Sequence, residues 1–240
     1  MSQIVLQSLP CGGSLIEYAG QFDGAYGLPM RGGCVTMKIA IIGSSGSGKS
    51  TFTRELGRLV DLPIHYLDLY YWQPGWVPTP VEEFAALNRR LVAEDAWIID
   101  GLYGKTLDIR LQAADVVVFF DLSPWVTTYR VIKRRIQYHG KTRVDMNEGC
   151  PESIDWPFIK LGWNFRRDKR PGILVKLSNH AEHTKIIVIK RPREARRILD
   201  LVKASGISYF EHDPLTASPV SQASEEHDPA SSEYPPSDPR

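Results

Sequence analysis

The chain has 240 residues, 42% of them hydrophobic, enough for one large domain or two small ones. No apolar run approaches the roughly 20 residues needed to cross a bilayer, and the start lacks a basic region followed by an apolar segment, which argues against membrane insertion and secretion. Cys11, Cys34 and Cys150 are odd in number and scattered, which argues against a disulfide framework or a Cys-rich zinc site and fits a reducing cytoplasm. The net charge of +1 conceals a division. Residues 37–210 hold 27 Lys+Arg against 19 Asp+Glu, while 211–240 carry seven acids and one Arg. A basic body suits polyanionic ligands, nucleotides before nucleic acid, since no aromatic-interleaved nucleic-acid motif accompanies the charge.

In chain order, residues 1–36 have little periodicity and read as an irregular extension before the first core strand. Ile39–Ile42 is a continuous apolar run, as a strand buried on both faces requires. It ends at Gly43, and Gly43-Ser44-Ser45-Gly46-Ser47-Gly48-Lys49-Ser50-Thr51 matches the phosphate-loop pattern position by position. The glycines let backbone N–H groups turn inward, and the following helix adds the partial positive charge of its N-terminus. In such a loop Lys49 reaches the β- and γ-phosphates of ATP, and the Ser50 hydroxyl sits on Mg²⁺. The helix runs from about Gly48 to Val60, with Phe52, Leu56, Leu59 and Val60 on one face.

Ile64–Leu67 reads as a second strand closing on Asp68, and Tyr70–Pro80 as an aromatic, Pro-rich loop. A helix from Thr79 or Pro80 to about Asp95 follows, then a third strand, Trp97–Ile99, ending on Asp100-Gly101. Val116–Phe120 is a fourth strand ending on Asp121, and Ser123-Pro124 opens a long basic helix. Lys185–Ile189 is the fifth strand, and Pro192 opens a last helix to about Ala204. Residues 211–240 are Pro-, Ser- and Glu-rich and read as a disordered tail. Alternating strands and helices predict a three-layer α/β fold on a five-stranded parallel sheet, with ligands beyond the carboxyl ends of the strands. The phosphate loop, Asp68, Asp100 and Asp121 all fall at such ends.

Asp100 is the candidate second contact to Mg²⁺, through its water shell. Asp68 bears on the acceptor class, because a hydroxyl acceptor profits from a carboxylate that orients or removes its proton, whereas a phosphate acceptor needs only positioning charges. Residues 130–170 contain eleven Lys+Arg against five acids. Arg130 and Arg134 share a helix face, Arg143 follows in a loop, and Arg166, Arg167 and Arg170 come after the next helix. Guanidinium groups of this kind clamp a phosphoryl group in flight, and Arg134 and Arg143 are the candidates among them. Arg89 and Arg90 could supply a cation for a second phosphate if they faced inward. Cys150 and His139 lack companions for a zinc site, so Cys150 reads as a packed residue. Trp72 and Trp76 suit either a substrate wall or a cover for the sheet edge.

Gly43–Ser50, Leu67-Asp-Leu-Tyr-Tyr-Trp-Gln-Pro-Gly-Trp76, Trp97-Ile-Ile-Asp-Gly-Leu-Tyr103 and Lys141–Glu152 resemble the adenylate-kinase-like P-loop proteins of the "DNA topology modulation" type, over roughly Met37 to Leu201. The resemblance implies a nucleoside-monophosphate-kinase-like domain over 37–210 with a mobile helical lid at about 135–155. Asp100-Gly101-Leu102-Tyr103 is similar to the adenylate-kinase stretch but lacks its Pro-Arg. Asp68-Leu-Tyr-Tyr is similar to the Asp-x-Tyr-Tyr of uridine-kinase-type enzymes, which use the aspartate on a hydroxyl. The expectation is an ATP- and Mg²⁺-dependent phosphotransferase acting on a small molecule, a nucleotide or nucleoside-type acceptor first and a small hydroxyl compound with Asp68 as base the alternative, as monomer or homodimer. The rival from another class is a nucleotide-binding regulator that acts on DNA through its basic surface with little turnover.

Overall fold

The structure is a computed structural model, which describes residues 36–137 and 156–212. In chain order the first elements are β1 (Lys38–Gly43), α1 (Lys49–Val60), β2 (Ile64–Tyr66) and α2 (Leu67–Tyr71). A two-residue hairpin, β3 (Trp72–Gln73) and β4 (Val77–Pro78), leads into α3 (Val81–Val92), β5 (Trp97–Asp100), α4 (Leu107–Ala113), β6 (Val116–Phe120) and α5 (Pro124–Gln137). After residue 155 come α6 (Trp156–Trp163), α7 (Phe165–Asp168), α8 (Arg170–His180), β7 (Lys185–Ile189), α9 (Pro192–Ser205) and α10 (Ser208–His212).

Five strands form one parallel sheet in the order β2-β5-β1-β6-β7. The apolar runs of the central β1 and β6 are continuous because both faces are covered. Alternate residues serve opposite layers. Ile39, Ile41, Val116, Val118 and Phe120 pack with Phe52 and Leu56 of α1, Ile198 and Val202 of α9, and Phe210 of α10. Ala40, Ile42, Val117 and Phe119 pack with Phe84 and Leu91 of α3, Leu107 and Leu111 of α4, and Ile173 and Leu177 of α8. The expected three-layer α/β fold with a five-stranded parallel sheet is therefore present.

Local signals set the helix ends. Asp61, in the left-handed region at φ 53°, caps α1 by donating its N–H to Gly57 O. Glu194 accepts the backbone N–H groups of Lys190 and Arg191 at the start of α9, where Pro192 takes the first position.

Several boundaries differ from the sequence expectation. The second strand stops at Tyr66, one residue short of the expected Leu67, because Leu67 already opens α2 and buries its side chain. Tyr70–Pro80 is not wholly a loop: Tyr70 and Tyr71 end α2, and the β3–β4 hairpin turns at Gly75 and Trp76, both at positive φ. α3 ends at Val92, with Pro80 as its N-cap rather than within its first turn. The third strand includes Asp100. α4 falls in a stretch without a sequence expectation, and α10 runs two residues past the expected boundary at 210. Among the described residues no helix is long and apolar enough to cross a membrane. The expected lid at about 135–155 lies almost entirely outside the described residues, as do the extension before residue 36 and the tail after residue 212.

Candidate functional site

β1 is the central strand, and the chain reverses direction of growth across the sheet there, since β5 lies on one side and β6 on the other. The crevice beyond the carboxyl ends of such strands is where open α/β sheets hold ligands. Gly43 to Ser50 fills that crevice. Gly46 and Gly48 sit at φ 74° and 97°, a region that L side chains rarely adopt. A Cβ on Gly46 would meet Thr127 O of α5 at 2.4 Å, so the loop and α5 touch backbone to backbone. Ser47 folds the turn closed, its Oγ donating to Ser44 O at 2.8 Å. Gly48 is the N-cap of α1 and offers no side chain to its first N–H groups, and no acid stands in the first turn. The N-terminus of a 12-residue helix therefore faces the crevice with its partial charge uncompensated by side-chain capping, as an anion site requires.

Lys49 lies back over this turn, its Nζ donating to Ser44 O at 2.8 Å. Arg130 of α5 donates from Nη1 to Ser47 O at 3.0 Å, so the arginine tied to the loop is the helix neighbour of the predicted Arg134. Arg134, one turn on, is half-buried on the same helix. Arg143, His139 and Cys150 lie outside the described residues.

Two carboxylates follow the strands on one side of β1: Asp100 ends β5, its neighbour, and Asp68 lies in α2 just after β2, the next strand out. Asp100 is in register with Ile41 of β1 and Tyr66 of β2 and is 5% exposed. Ser50 and Asp100 both offer oxygen donors, the hydroxyl and carboxylate set that suits Mg²⁺ beside phosphate oxygens. Asp68 sits in α2, where Tyr103 Oη donates to its Oδ1 at 2.5 Å. Burial, reinforced by the neighbouring Asp68 carboxylate, pushes the Tyr103 phenol well above its usual range, so it remains a donor. Around this pair Tyr71, Phe84 and Tyr103 pack ring against ring at 4.5–5.0 Å, and Tyr71 continues edge-on to Trp72, which meets Trp76 edge-on in turn.

The third strand-end carboxylate, Asp121, is only 1% exposed and is held by two arginines, Arg166 Nε at 3.3 Å and Arg170 Nε at 2.9 Å. Its neighbour Phe120 pairs with Gly43, so these two guanidinium groups are anchored beside the phosphate loop. Arg167 instead pairs with Asp168 on the surface. Arg89 and Arg90 do not face inward. Both are exposed in the last turn of α3, and Lys38 at the start of β1 bonds Val92 O there, which puts them toward the amino end of the strands, opposite the phosphate loop.

One buried cation had no counterpart in the sequence reading. Arg110 of α4 is fully buried, donating to Asn88 Oδ1 at 2.5 Å, Thr106 Oγ1 at 3.2 Å, Gly101 O at 3.1 Å and Leu102 O at 2.6 Å. Burial pulls its pKa down to about 10, which leaves it charged at neutral pH. An arginine on the apolar face of a short helix was the available signal.

No family model and no curated protein matches the chain. Solved structures do. A sugar kinase from Janibacter sp. is 16% identical, covering 77% of this chain and 99% of its own, at a TM-score of 0.39. A gluconokinase from Sinorhizobium meliloti is 18% identical over 74% of this chain and 98% of its own, at 0.41. The M. mycoides deoxyadenosine kinase with dCMP and dCDP is 15% identical over 70% and 97%, at 0.40.

Proposed function

We propose that the chain is a P-loop kinase that moves the γ-phosphoryl group of ATP to the hydroxyl of a small acceptor. The observation that carries this is the uncapped start of α1 behind the Gly46–Gly48 turn, with Lys49 folded over it and carboxylates at the ends of the strands beside it. The loop N–H groups and Lys49 hold the β- and γ-phosphates. Ser50 and Asp100 would hold Mg²⁺, which when bound neutralises charge between the β- and γ-phosphates. Arg134 and Arg143 of the basic segment are proposed to meet the phosphoryl group in transfer. Arg130, tied to Ser47 O, and the pair on Asp121 are proposed to join them.

The hydroxyl acceptor is favoured over a nucleotide by the company of Asp68. Its Oδ1 already accepts a hydroxyl, that of Tyr103, whose ring packs with Tyr71 and Phe84, while Arg89 and Arg90 lie exposed at the end of α3, by the amino end of β1. Asp68 is thus suited to orient an acceptor hydroxyl and take its proton as the new O–P bond forms.

The test is ADP release from ATP and Mg²⁺ across nucleosides, sugars, small polyols and nucleoside monophosphates. Turnover with a hydroxyl acceptor, at least tenfold above the acceptor-free rate, is the expected result. ATP binding without acceptor-dependent ADP release from any of them would instead support a nucleotide-binding regulator.

A further inference from the structure

Tyr103 is a non-glycine residue at φ 33°, a strained conformation that persists only where its surroundings impose it. What imposes it is visible. Thr106 N and Oγ1 both donate to Tyr103 O, at 3.0 and 3.3 Å. The two carbonyls before it, Gly101 O and Leu102 O, are held by Arg110 Nη2, whose Nη1 also bonds Thr106 Oγ1. One guanidinium therefore grips the turn on both sides of the strained residue, and Asn88 of α3 fixes the guanidinium in turn.

A buried cation is a costly way to hold a turn. Every hydrogen-bond partner of Arg110 given above is uncharged, so no carboxylate offsets its desolvation by direct pairing. An aliphatic side chain would fill the same space between α3, α4 and the sheet at lower cost. What an aliphatic chain cannot do is fix two successive carbonyls with a planar, forked donor. The product of that fork is the direction of one side chain, the Tyr103 phenol donating to Asp68.

We infer that Arg110 is a positioning residue that acts through Tyr103: its fork sets the Gly101–Tyr103 turn so that the phenol occupies Asp68 Oδ1 and leaves Oδ2 to the acceptor hydroxyl. The inference rests on the reading of Asp68 given above. Its structural half, that Arg110 sets the Tyr103–Asp68 bond, stands independently of turnover.

The experiment compares wild type, Arg110→Lys, Tyr103→Phe and the double variant, each with ¹³C-labelled tyrosine Cζ and aspartate Cγ. Arg110→Lys keeps the charge but loses the fork. In the spectra, Arg110→Lys is expected to move the Tyr103 Cζ and Asp68 Cγ resonances, the latter as Tyr103→Phe does. Unmoved resonances in folded Arg110→Lys would overturn the inference. Should Arg110→Lys not fold, Thr106→Val, which removes the hydroxyl shared by Arg110 and Tyr103, takes its place under the same criterion. In kinetics with the best hydroxyl acceptor, each single variant is expected to lower kcat by roughly tenfold with the ATP KM unchanged, and the double variant by no more than the larger single effect. Additive losses would show that Arg110 does not act through Tyr103. If wild type binds ATP but releases no ADP with any acceptor, the kinase reading falls and the spectra alone decide the role of Arg110.

Discussion

At the scale of the residue, the proposed mechanism gives Lys49 and Asp68 separable duties. Lys49→Ala removes the cation that folds over the loop, which the proposed mechanism sets against the phosphates, so the folded variant is expected to lose about 10²-fold or more in ATP turnover or affinity, measured by ADP release and calorimetry. Asp68→Asn keeps the shape and the Tyr103 contact but not the proposed base. Turnover with a hydroxyl acceptor is expected to fall by about 10²–10⁴ with ATP affinity unchanged, whereas full turnover with every acceptor would remove Asp68 from the mechanism. Tyr103 also leaves a mark on stability. Its folded pKa is raised, so its contribution is intact below the ordinary tyrosine value of about 10 and is lost as pH rises beyond it, because the unfolded chain then releases a proton that the folded chain keeps. Thermal melts of wild type and Tyr103→Phe from pH 8 to 11 should show wild type losing more stability across the upper part of that range.

At the scale of the element, what the sequence shows plainly depends on how local the signal is. β1, β5, β6 and β7 were legible as largely apolar runs, and α1, α5 and α9 because caps or periodicity mark them, whereas β2 is a half-buried Ile64-His65-Tyr66. α2 has five residues, too few to display a period, and its aspartate reads equally well as the end of a strand. α4 hides for a different reason: Arg110 occupies the face that should identify the helix as amphipathic. The phosphate loop needed no tertiary information, but the partners of Asp121 did, since Arg166 and Arg170 lie 45 and 49 residues away. Those contacts join α7 and α8 to the end of β6. Asp121→Asn should cost about 1–3 kcal/mol in urea denaturation, less than a fully buried ion pair, because both arginines keep access to water. A variant as stable as wild type would mean that these helices are held by Phe165, Ile173 and Leu177 alone.

At the scale of the whole molecule, the two layers of packing close with α10, whose Phe210 is 3% exposed. A chain cut to residues 36–212 should therefore keep the melting temperature and ATP affinity of the full chain, while ending it at residue 207, which removes Phe210, should lower the melting temperature by several degrees. Calorimetry and thermal melts on the two lengths check this. The sheet order has a consequence for synthesis. β1 is made first yet ends in the middle, and its neighbours begin only at Trp97 and Val116. Gly43 leans on Phe120, Gly46 on Thr127 and Ser47 on Arg130, so the loop has no walls until the start of α5 exists. A ribosome that has finished the phosphate-loop motif has not yet made an ATP site. Nascent chains halted before residue 116 should ignore the nucleotide, and affinity should appear in one step once β6 and α5 have emerged.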